Sequence, residues 1–177
     1  MELFWCRGYE ATSLQELLTA MDISKSSLYQ AFGSKHELFE RCLKVFRERQ
    51  VGQMTSALEQ APSGKTFLRN MLMAAARDAA TNEFPKGCLI MNTATEFSGR
   101  DAIVADLVGE GARQFVGVFQ SAIERAQSNG EISASKNAEV LARYVVSTIS
   151  GLKTMAKAGL PAATIEEVAE VALSALA

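Results

Sequence analysis

Met21-Asp22-Ile23-Ser24-Lys25-Ser26-Ser27-Leu28-Tyr29-Gln30-Ala31-Phe32-Gly33-Ser34-Lys35-His36-Glu37-Leu38 is the stretch that decides how this chain folds. From Lys25 to about Phe32 the spacing predicts a short helix that turns Leu28 and Phe32 inward at i and i+4 and leaves Ser26, Ser27, Tyr29 and Gln30 on other faces. Gly33 stops it, and Ser34 with Glu37 three residues on opens a longer helix that buries Leu38, Phe39, Cys42, Leu43 and Phe46 and runs to about Ala61. Upstream, Leu14, Leu17, Leu18 and Met21 form another short apolar stripe, with Thr12 or Ser13 as N-cap and Glu16 set to close a capping box on Ser13. Two short helices joined by a tight turn and followed at once by a capped long one make a helix-turn-helix, in which the second helix protrudes and the first braces it.

Working outward, Pro62-Ser63-Gly64 is the clearest break, and helices are expected at Thr66 to Asn82, Cys88 to Phe97, Asp101 to Asn129, Lys136 to Ala158 and Ile165 to Ala177. Alternation of β-branched residues never persists long enough for a strand, so the fold class is all-α: a three-helix head and a bundle-like body.

With 48% apolar and 21% charged residues among 177, the composition is that of a folded globular protein. No apolar run approaches the ~20 residues a membrane helix needs, and no secretory signal opens the chain, so no membrane partner is expected and the compartment is cytoplasmic. Cys6, Cys42 and Cys88 are scattered, which suggests neither disulfides nor a metal site. The single histidine, His36, sits beside a predicted cap, where a surface role is expected, and no phosphate loop or catalytic cluster accompanies it, so neither a cofactor nor an enzyme is indicated. A net charge of −2 counts against indiscriminate attraction to nucleic acid, yet Lys25, Lys35, Arg41 and Lys44 fall in or just after the helix-turn-helix.

The run Gly8-Tyr9-Glu10-Ala11-Thr12-Ser13 together with Met21 to Leu38 resembles the DNA-binding head of the TetR/AcrR family, over about residues 3 to 46, and Gly87-Cys88-Leu89-Ile90-Met91-Asn92 is similar to a segment of some members. The resemblance implies a DNA-binding domain at 1–46, its first helix shorter than in relatives, and a ligand-binding and dimerisation domain at 47–177. The implied function is a homodimeric transcriptional repressor that binds palindromic double-stranded operator DNA and is released by a small-molecule effector.

By the same resemblance, Thr12 or Ser13 touches a phosphate, and Ser24, Lys25, Ser26 and Ser27 open the recognition helix. Lys25 is placed for guanine O6 or N7, Gln30 for adenine, and Tyr29 and Lys35 for phosphates. Each has a plainer reading as a cap, a solvated lysine or a packed ring. Val104, Val108, Phe115 and Phe119, with Val140, Tyr144, Ile149 and Leu152, are candidates for a four-helix dimer interface or for internal core. Phe67, Met71, Met91, Phe97, Phe115 and Phe119 are candidates to line an apolar effector chamber, or else are plain core, with Asn92 or Glu96 as a polar handle. The rivals are an enzyme and a helical adaptor without DNA affinity.

Overall fold

In the computed structural model, which describes residues 1–97 and 99–176, every apolar stripe has become a helix. The short ones are α1 (Glu2–Arg7), α2 (Leu14–Met21) and α3 (Lys25–Phe32). They are followed by α4 (Lys35–Gln60), α5 (Gly64–Thr81), α6 (Leu89–Phe97), α7 (Ala102–Ser128), α8 (Ala138–Lys157) and α9 (Ala162–Leu176). No strand occurs among the described residues, and none of their helices is long and apolar enough to cross a membrane. Two starts come earlier than the stripes suggest. Ser63 Oγ accepts the Thr66 N–H at 3.1 Å, so α5 begins at Gly64, and α9 begins directly after Pro161, a residue suited to helix starts.

Packing groups the chain into two units. The first comprises Met1–Arg49 and Leu89–Gly111. α6 and the start of α7 thus pack with the three short helices and the first part of α4. Leu89, Ile90 and Val104 are fully buried there, alongside Phe4, Leu17, Leu28, Phe39 and Leu43. An aromatic cluster joins segments far apart in sequence: Phe97 stacks on Phe39 at 5.4 Å, and Tyr9 lies 5.0 Å from Phe39 and 5.4 Å from Phe97. Such pairs add to the stabilisation from area burial alone. The Arg47 guanidinium pairs with Glu110 at 2.8 Å, tying α4 to α7 inside this unit.

The second unit comprises Gln50–Cys88 and Ala112–Ala177, and its described residues centre on the mutual packing of α5, α8 and α9. Phe67, Leu68, Leu72, Ile123, Val145, Leu152 and Ile165 form its core. Arg125 donates to the carbonyls of Leu58 (2.8 Å) and Ala61 (2.9 Å), satisfying acceptors that the end of α4 leaves open and placing a cation at the negative end of that helix. Arg69 and Glu170 form a two-pronged bond between α5 and α9 at 2.5 and 3.2 Å.

At Gly64 the start of α5 lies close against the backbone of α7. A Cβ there would lie 2.0 Å from the Ala122 carbonyl oxygen and 2.8 Å from the Ala126 nitrogen, both backbone atoms that cannot swing aside. Gly64→Ala is therefore expected to destabilise the protein by about 1–3 kcal/mol despite alanine's better helix propensity, as measured by urea unfolding; an unchanged midpoint would refute the close approach.

Candidate nucleic-acid interface

The helix-turn-helix is built from caps. Ser13 has extended backbone (φ −77°, ψ 154°), its Oγ accepts the Glu16 N–H at 3.2 Å, and Glu16 Oε2 accepts the Ser13 N–H at 2.8 Å. That reciprocal pair is a complete capping box, and the Arg7 guanidinium closes on Glu16 from outside. Hydrogen bonds from the Ser13 backbone and side chain, and then the nearby Arg7 charge, hold the Glu16 carboxyl below its ordinary pKa.

α2 ends at Asp22, whose left-handed backbone (φ 52°) is the single positive-φ position outside glycine among the described residues. Ser24 then caps α3, accepting the Ser27 N–H at 3.1 Å, and the Ser26 and Ser27 hydroxyls gather around it at 2.8 and 2.9 Å. Gly33, at φ 82°, ends α3 in a conformation that side-chain-bearing residues adopt only with strain.

Leu28 is the one fully buried residue of α3, at 0% exposure. Around it Ser24, Lys25, Ser26, Ser27, Tyr29 and Gln30 all face solvent. The Lys25 ammonium stands 5.9 Å from the centre of the Tyr29 ring, so a charge and an aromatic hydroxyl share one exposed ridge. Lys35 differs: it is half-buried with its ammonium 4.1 Å from the centre of the Tyr9 ring, a cation–π contact with which a phosphate must compete. Arg41 lies over the Phe32 ring at 5.4 Å, and Lys44 is exposed.

Thr12 requires a correction. Its side chain is 0% exposed and its hydroxyl donates to the Gly8 carbonyl at 2.6 Å, so it neither caps α2 nor reaches a phosphate. It locks the preceding turn, and Ser13 alone of the pair stands at the helix start. His36 is not a free surface residue either. It is half-buried, with Nε2 3.1 Å from Asp101 Oδ2 and 3.4 Å from Glu40 Oε1, while Asp101 Oδ1 accepts the Val104 N–H at the start of α7. Burial, followed by the charges of Glu10, Asp101 and Glu96, raises the pKa of Tyr9 above its ordinary value.

The chamber candidates divide between the two units. Phe67, Met71, Phe115 and Phe119 belong to the second, where Phe67 and Phe119 are buried with ring centres 5.7 Å apart and Met71 is half-buried. Met91, Asn92 and Phe97 belong to the first, with Phe97 packed into the head's aromatic cluster. Glu96, read as a polar handle for a ligand, is engaged within the head: its carboxylate accepts the N–H of Tyr9 at 2.9 Å and of Glu10 at 2.8 Å. A cleft of about 240 Å³ lies beside it, walled by Tyr9, Glu10, His36, Phe97, Arg100 and Asp101. Nothing local in the sequence marked Glu96 for this, because its partners lie 86 and 87 residues away.

Of the apolar residues considered for self-association, Val104, Phe115, Phe119 and Leu152 are buried within the protomer, and Val108 and Ile149 are half-buried. On α8, Val140 (58%) and Tyr144 (38%) are exposed, and α9 adds Val168 (38%) and Val171 (69%).

Residues 1–42 match the family described as bacterial regulatory proteins, tetR family, and residues 64–171 match the tetracyclin repressor-like C-terminal domain. The chain is 29% identical over 177 residues to the uncharacterized HTH-type transcriptional regulator YezE of Bacillus subtilis, spanning 99% of this chain and 91% of that one. It is 27% identical over 173 residues to the HTH-type transcriptional repressor ComR of Escherichia coli, spanning 97% and 81%. Among solved structures it is similar to a cysteine mutant of the regulator CifR complexed with 26 bp double-strand operator DNA, at 31% identity and TM-score 0.86 over 99% of this chain and 92% of that one. Reduced Escherichia coli NemR, at 19% identity, shares the fold with a TM-score of 0.88 over 99% and 93%.

Ser13→Ala removes the capping oxygen and is expected to cost about 1 kcal/mol in urea unfolding at neutral pH. Because the folded-state pKa of Glu16 is depressed, the stability it contributes is present above the ordinary glutamate range and is lost as pH falls through the lower folded value. Glu16→Gln should flatten that acid limb of the stability profile, and an identical limb in both proteins would contradict the capping-box geometry.

Proposed function

This chain belongs to the TetR family of bacterial transcriptional regulators, and on that premise we propose that the exposed face of α3 reads operator DNA from the major groove. The observation that carries the reading is α3 itself: an eight-residue helix, anchored by Leu28, with its polar side chains turned outward. A helix so displayed fits a groove ~12 Å wide, where base edges present their donor and acceptor pattern. Lys25 donates to guanine O6 or N7, Gln30 pairs with adenine, and the hydroxyls of Ser24, Ser26, Ser27 and Tyr29 serve base edges and phosphates. Ser13 and the N-terminus of α2 take a phosphate. Lys35 joins them by leaving the Tyr9 ring.

One such helix reads only a few base pairs, so two copies sit on half-sites ~34–36 Å apart. We assign the pairing surface to α8 and α9 rather than to α7 and α8, because Val140, Tyr144, Val168 and Val171 remain uncovered while most of the apolar candidates on α7 are already buried. Release follows when an effector, a largely apolar small molecule, favours one body conformation over another. Phe67, Met71, Phe115 and Phe119, which share the second unit, are the better lining candidates. The work is that of a cytoplasmic repressor rather than an enzyme.

Lys25→Ala is expected to cost about 1–3 kcal/mol on the preferred operator and little on unrelated duplex, with affinity falling steeply as salt rises; equal losses on both duplexes in a mobility-shift titration would reject base reading by Lys25. Val171→Glu places a charge in the pairing surface and should shift sedimentation toward the monomer, whereas an unaltered dimer would move the interface elsewhere.

A further inference from the structure

We propose that Glu96 is a positioning residue for operator recognition: from the last turn of α6 it fixes the turn that delivers α2, and through α2 the reading helix. The inference rests on the DNA-binding function proposed above. Glu96 Oε2 accepts the Tyr9 N–H at 2.9 Å and Oε1 the Glu10 N–H at 2.8 Å, so one carboxylate holds two successive backbone donors. Bonds to an ionised acceptor are about twice as strong as neutral ones.

The site is shaped for that carboxylate. Gly8 has φ +85°, a backbone that favours glycine, and a Cβ on it would lie 2.8 Å from Glu96 Oε2, so a side chain there would displace the carboxylate from this position. The next residue on α6, Phe97, holds the same turn by its side chain, since the Tyr9 ring lies 5.4 Å from the Phe97 ring. Downstream, the chain passes the constraint on without slack: Thr12 Oγ1 donates to the Gly8 carbonyl at 2.6 Å, the Thr12 N–H reaches the Tyr9 carbonyl at 3.3 Å, and Ser13 opens α2 in its capping box.

The placement of Glu96 supports a role beyond holding α6 together. A carboxylate in the last turn faces the negative end of the helix dipole, an unfavourable position that the two N–H donors offset. Glu96 also lies within the residues that match the C-terminal domain, 64–171, while the turn it holds lies within the N-terminal match, 1–42. The geometry of DNA reading therefore depends on a side chain outside the helix-turn-helix.

The test uses the full chain, a duplex selected by the wild-type protein from random-sequence DNA, and an unrelated duplex of equal length. Glu96→Gln keeps the size and removes the charge and one acceptor; Glu96→Ala removes both acceptors. With both variants folded by thermal melting, affinity for the selected duplex should fall about tenfold for Gln and further for Ala. Affinity for the unrelated duplex, which depends on the exposed cations alone, should hardly move. Amide exchange at Tyr9 and Glu10 should accelerate in step. Unchanged affinity for the selected duplex, or equal weakening on both, would overturn the assignment of Glu96. A wild-type chain that selects no duplex at all would instead overturn the DNA-binding reading, and this inference with it.

Discussion

α3 must be exposed to be useful, and that requirement shapes everything around it. Of its eight residues only Leu28 is fully buried, which leaves the helix far short of the ~12–15 residues at which isolated helices become even marginally stable in water. Order has to come from its ends and its single anchor. Ser24 closes the first turn, Gly33 terminates the last, and Leu28, at 0% exposure, provides the packing. A polar face can then be presented to a groove without loss of shape, at the cost of dependence on neighbours.

Electrostatics around this face are settled by placement and not by the sum. The chain carries a net charge of −2, which by itself would repel a polyanion. Several acids near the head are already engaged: Glu16 by Ser13 and Arg7, Glu96 by two backbone donors, and Asp101 by His36 and the Val104 N–H. Lys25 stands on the exposed ridge, and Arg41 and Lys44 are exposed on the helix that follows.

The head is not a self-contained module in the physical sense. Leu89–Gly111 completes its core and supplies both the carboxylate and the ring that hold the Gly8–Glu10 turn. Two consecutive side chains on α6 thus act on one turn by different physics, charge-assisted hydrogen bonding and aromatic packing.

What sequence alone determined is what depends on neighbours three or four residues apart. The i, i+4 pair of Leu28 and Phe32, the stop at Gly33, the box of Ser13 and Glu16, and the break at Pro62 were legible because helices and caps are local, and the outward placement of Ser26, Ser27, Tyr29 and Gln30 followed from the same periodicity. Tertiary structure alone decided the rest. Which of Thr12 and Ser13 faces solvent turned on the buried bond to the Gly8 carbonyl, and the roles of His36, Phe97 and Glu96 turned on partners brought together from distant parts of the chain. Spacing along a helix encodes which face is apolar, but it carries no information about which distant backbone donor a lone carboxylate will meet once the chain has closed on itself.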